Sequence, residues 1–70
     1  MYAFAKSIRN HQHIQRFTIE PTPSGWEVRE EHDSQVVRRR YYQDWHRVER
    51  ALLAFNLKLN VLRQEGWREL

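Results

Sequence analysis

From Trp45 to Leu62 apolar residues recur at alternating spacings of three and four: Trp45, Val48, Leu52, Phe55, Leu59 and Leu62, with Ala51 at the edge. At about 100° per residue these positions share one face, the pattern of a helix lying on a core. Both ends are punctuated. Asp44 is a short acceptor just before the pattern begins, suited to cap the first turn. Gly66 can take the left-handed conformation just past the last turn, which would fold Trp67 back onto Leu62. Arg63 suits the negative end of the helix dipole. The pattern predicts a helix over residues 44–66. A second apolar group, Leu53, Ala54, Leu57 and Val61, runs nearly opposite the first, separated from it by polar rows.

Upstream the period falls to two. "QRFTIE" alternates around Phe17 and Ile19, as a half-buried strand does, and stops at "PTPSG", where Pro21 and Pro23 remove donors and Gly25 allows a reversal. "GWEVREEH" sets Trp26 and Val28 on one face and Glu27, Arg29 and Glu31 on the other. "HDSQ" reads as a turn without the glycine that tight hairpins favour. "VVRRRYY" supplies a third strand, β-branched and aromatic at its ends. The expected fold is therefore α+β: a three-stranded antiparallel meander over residues 13–42, followed by one long C-terminal helix packed on one sheet face. All 70 residues form a single small domain, with residues 1–12 as a flexible leading segment.

A two-residue turn in the second hairpin would set Trp26 opposite Tyr41 and Glu30 opposite Val37 on the inner face. Glu27 would then face Arg40, and Arg29 would face Arg38, on the outer face. A slip of one residue would exchange Val37 and Tyr41 for Val36 and Tyr42. The favourable Glu27–Arg40 pair selects the first register.

One sheet face covers one helical stripe, so the second stripe needs a cover of its own. Either the leading "YAFAKSI", with Tyr2, Phe4 and Ile8, folds over it, or a second copy does. A chain of this size buries only about 60% of its unfolded surface, and without cysteine no disulfide can reinforce it. We expect a homodimer through Leu53, Ala54, Leu57 and Val61.

Composition narrows the chemistry. The formal charge is +3, with 40% hydrophobic and 30% charged residues, ordinary values for a folded domain. No apolar run approaches a membrane span, and the N-terminus lacks the features of a signal peptide, so a cytoplasmic location is expected. Charge alternates along the chain: residues 17–35 are acidic, whereas residues 36–50 carry five arginines against Asp44 and Glu49. His11 and His13 have a ligand-like spacing, but neither His32 nor His46 completes a set, and no metal or other cofactor is expected. Ser7, Ser24 and Ser34 have no base beside them, Gly25 and Gly66 make no phosphate loop, and Glu30–Glu31 point to opposite faces of a strand. No enzymatic activity is expected.

"RRRYYQDWHR" is the richest stretch for binding. Arg16, Arg29, Arg38, Arg40 and Tyr42, assigned to the outer sheet face and joined by Arg47 at the helix start, would offer phosphate contacts and a stacking ring to a nucleic acid. The competing assignment is a cross-strand charge ladder, since Glu20, Glu27 and Glu31 share that face. Over roughly residues 15–62, the strand–strand–strand–helix order, "SGWEVRE" and the basic run after the turn resemble in layout the plant-type AP2 DNA-binding domains. They are similar also to the N-terminal arm-binding domains of phage-type integrases. That resemblance implies groove reading by the sheet; the acidic second strand and the doubly apolar helix depart from it. The leading expectation is a small non-enzymatic protein-interaction module that self-associates, with nucleic-acid binding by the third strand as the alternative.

Overall fold

A computed structural model describes residues 2–70. The chain runs β1 (Phe4–Asn10), β2 (His13–Thr22), β3 (Gly25–His32), β4 (Gln35–Tyr42), α1 (Trp45–Gln64) and β5 (Arg68–Glu69). The strands form one antiparallel sheet in the order β4-β3-β2-β1-β5, and α1 crosses one of its faces. The fold is α+β with a C-terminal helix on a sheet, as the periodicities imply, but the sheet has five strands rather than three.

The two additional strands come from the ends of the expected meander. "FAKSIRN" is β1, paired with β2 so that Phe4 faces Ile19, Lys6 faces Phe17 and Ile8 faces Gln15. Opposed residues of an antiparallel pair share a face, so Phe4 and Ile8 join the core instead of covering the second stripe of α1. Ile8 is fully buried. At the other end the helix closes as its sequence indicates. Gly66, with φ 103°, donates to the Arg63 carbonyl at 3.1 Å, and Trp67 N–H donates to the Leu62 carbonyl at 3.0 Å. This pair of bonds turns the chain back. Arg68–Glu69 then pairs with Ile8–Arg9, and Leu70 N–H donates to the Ser7 carbonyl at 3.0 Å.

The core joins one face of three strands to one stripe of the helix: Ile8, Phe17, Ile19 and Val28 against Val48, Phe55 and Leu59. Phe55 sits centrally, its ring 5.0 Å from Phe17 and 6.1 Å from Phe4. Trp26 of β3 and Trp45 of α1 meet at 5.1 Å and fix the start of the helix, where the Asp44 carboxylate accepts from the His46 N–H at 3.0 Å.

The β3–β4 hairpin corrects the expected register. Asp33 (φ 52°) and Ser34 (φ 69°) form a two-residue turn with both residues left-handed, the conformation that suits the strand twist. Asp33 adopts it without glycine because β2 holds it. Its carboxylate accepts from the Ile14 N–H at 2.9 Å and lies 2.9 Å from the His13 ring, which keeps the acid below its ordinary pKa. Next to the turn Glu31 faces Val36, as a two-residue turn requires. Glu30 then faces Arg38, leaving Val37 without a partner. This bulge shifts the rest of β4 by one residue: Trp26 faces Tyr42, Glu27 faces Tyr41, and Arg29 faces Arg39. At the far end of the pair Gly25 is needed for space, since a Cβ there would collide with the Tyr42 carbonyl oxygen.

Candidate binding groove between β4 and α1

The bulge decides which side chains of "RRRYY" face the helix. Arg40 lies opposite Val28, a core residue, Arg38 lies opposite Glu30, and Tyr42 lies opposite Trp26. All three therefore stand on the inner side of the sheet. The outer-face patch expected from the sequence does not form: Arg38, Arg40 and Tyr42 are separated by the sheet from Arg16 and Arg29.

On the outer side the charges neutralise one another. Two of the directly opposed pairs are alike in sign, Glu20 facing Glu27 and Arg29 facing Arg39. Pairing is made along and between the strands instead, with Arg29 Nε 3.8 Å from Glu27 and 3.9 Å from Glu31, and Arg39 Nε 3.4 Å from Glu27. Arg16 faces Glu31 and lies over the Tyr2 ring at 5.4 Å. The neighbouring Glu27 carboxylate holds the pKa of the Tyr41 phenol above its ordinary value. This is the charge ladder weighed from the sequence, built with Arg39 in the place given to Arg38 and Arg40.

On the inner side α1 covers β1, β2 and β3, and β4 contributes nothing to the buried core. Between β4 and the helix a groove of about 430 Å³ remains. Its floor is Val28, Ala51, Ala54 and Phe55; Arg38 and Arg40 rise from the strand, and Arg47 and Arg50 from the first turns of the helix. Ala51 and Ala54 keep the helical wall low. Among the described residues Glu30 is the only acid lining the groove, 7% exposed, and Lys58 Nζ meets its Oε1 at 2.5 Å. The same ammonium lies over the Phe17 ring, 5.6 Å from its centroid, so one charge serves both the acid and the face of a core aromatic.

The four groove arginines make no ion pair among the described residues. Lys58 neutralises Glu30, so the four arginines carry +4 in the groove; the remaining seven basic and eight acidic side chains sum to −1, giving the formal +3 of the whole molecule. The modest net charge is thus concentrated in one trough with an apolar floor. Arg50 belongs to this set and was missed from sequence because it lies far from Arg38 and Arg40 along the chain. The signal that would have found it is the i, i+3 spacing of Arg47 and Arg50 on the helix flank facing β4.

The remaining candidates are dispersed. The outer helical stripe, Leu53, Leu57 and Val61, is 62%, 60% and 53% exposed, with Ala54 at the groove margin. His11 sits in the β1–β2 turn with φ 55°, while His13 is engaged with Asp33. Among the described residues no three His, Cys, Asp or Glu side chains converge as a metal site, and no helix is long and apolar enough to cross a membrane. No family model matches the chain, and no curated protein or solved structure is significantly similar to it.

Proposed function

We propose that the protein is a small non-enzymatic interaction module that works as a self-associated pair, joined through the outer stripe of α1. The observation that carries this reading is the exposed ridge Leu53–Leu57–Val61. Its residues are spaced by four, so they form one continuous ridge of the kind that packs into the grooves of a neighbouring helix. The ridge is also symmetrical about Leu57. A two-fold axis through that residue sets Leu57 against its own counterpart and Leu53 against the counterpart of Val61, which is what an isologous contact requires. The leading segment is committed to β1 and leaves the ridge uncovered.

Energetics set the strength of such a pair. Full burial of an aliphatic side chain contributes about 1.5–3 kcal/mol, and association costs roughly 4–15 kcal/mol in lost freedom. Because these residues are only 62%, 60% and 53% exposed, the six side chains across the pair contribute roughly 5–10 kcal/mol, which falls inside the range of that cost. The pair is therefore weak and concentration-dependent. Sedimentation across a range of concentrations tests it: the wild type should move from one subunit to two, and Leu57→Asp should remain single with its helix content unchanged. A wild type that stays single at every concentration would remove this reading.

A further inference from the structure

We propose that the groove between β4 and α1 binds an extended acidic segment of a partner protein, added as a further strand along the free edge of β4. The proposal rests on reading the molecule as an interaction module, but not on its pairing.

Three features converge on one occupant. Arg38, Arg40, Arg47 and Arg50 are all without an ion-pair partner among the described residues and surround a trough that holds the molecule's net charge, so the complement is anionic. Arginine forks are matched by carboxylates as well as by phosphates. The second feature is the backbone: β4 is a border strand of the sheet, and among the described residues its outward N–H and C=O groups have no neighbouring strand. An extended peptide satisfies those groups by strand addition and places alternate side chains on the two faces of the sheet. Acidic residues at every second position then turn toward the groove arginines. The third feature is the apolar lining of Val28, Ala51, Ala54 and Phe55, which accepts the methylene stem of an inward-turned acidic side chain between the charges.

The same features disfavour other occupants. A single-stranded nucleic acid needs exposed aromatic faces for its bases, yet Tyr42 is half-buried opposite Trp26 and Tyr41 stands on the other side of the sheet. A second copy pairing through β4 would set the run Arg38–Arg40 against the same run, and like charges directly opposed are destabilising.

The test is a titration with a labelled peptide alternating glutamate and valine, at low salt. Binding should weaken about tenfold or more in Arg38→Ala/Arg40→Ala and in Arg47→Ala/Arg50→Ala. It should weaken comparably when alternate peptide nitrogens of the probe are methylated, which removes strand hydrogen bonds but no charge. Arg9→Ala/Arg68→Ala, which removes as much charge on the opposite side of the sheet, should bind like the wild type. Circular dichroism of each variant establishes that the fold is retained. Leu57→Asp should bind the probe unchanged, so loss of pairing and loss of peptide binding are read separately. The proposal is overturned if the peptide does not bind, if the Arg9/Arg68 variant loses as much as the groove variants, if backbone methylation has no effect, or if oligothymidylate displaces the peptide at lower concentration.

Discussion

On β2 the side chains of Phe17 and Ile19 are sealed beneath α1, whereas two strands away Arg38 and Arg40, on the same side of the sheet, stand in water. The two halves share a backbone scaffold and differ in what the helix does above them. Over β1, β2 and β3 it presents Val48, Phe55 and Leu59. Toward β4 it presents Arg47, Arg50 and two alanines, too short to reach the strand and flanked by charges that repel those across from them. A single helix is about 10–12 Å across with its side chains, and neighbouring strands lie about 4.8 Å apart. It therefore covers two or three strands well and leaves the fourth. The sealed half stabilises the domain, and the open half is free to carry charge.

The largest expected effect lies in the sealed half. Phe17→Ala should cost about 3–5 kcal/mol, much of the total stability of a domain this small, and denaturant unfolding followed by circular dichroism should show a broad or absent transition. At the boundary between the halves, Lys58→Met removes the nearest partner of the Glu30 carboxylate and leaves it only His32 Nε2, 3.8 Å away, and the Arg38 opposite. A buried polar group left without its partner costs about 1–3 kcal/mol, and the half-exposed lysine places this case toward the lower end. Adding Glu30→Gln should recover most of the loss in the same unfolding measurement, because the charge is then gone. In the open half, Arg38→Ala/Arg40→Ala should change the unfolding free energy by no more than about 0.5 kcal/mol per substitution, the range of surface changes. A loss like that of Phe17→Ala would mean that the two halves are not distinct.

The legibility of these parts from sequence follows how local their causes are. Helix α1 was readable from end to end because Asp44, Gly66 and the spacing of its apolar residues act within a few positions of one another. Strands β2 and β3 were readable from Phe17, Ile19, Trp26 and Val28. Strand β1 was not, because Lys6 occupies an inward position between Phe4 and Ile8 and breaks the alternation; it is tolerated near the sheet border, where its amine reaches Glu69 at 3.2 Å. Strand β5 is two residues long and exists only because the helix cap directs the chain back to β1. The groove was hidden for a third reason. Its arginines were visible, but the face they occupy depends on the bulge at Val37, and neither Val36 nor Val37 marks a bulge by residue type. A shift of one position moved Arg38, Arg40 and Tyr42 from the side where they were expected to the other.

That unpaired valine also works as a ruler. The ladder is regular only from Arg38 to Tyr42, five residues that at about 3.4 Å each span roughly 17 Å. Any guest aligned on this border has a short, fixed berth, with the kink at one end and the start of the helix at the other. Lengthening such a guest beyond that span should bring no gain in grip, whereas trimming it below should release it stepwise, one residue at a time.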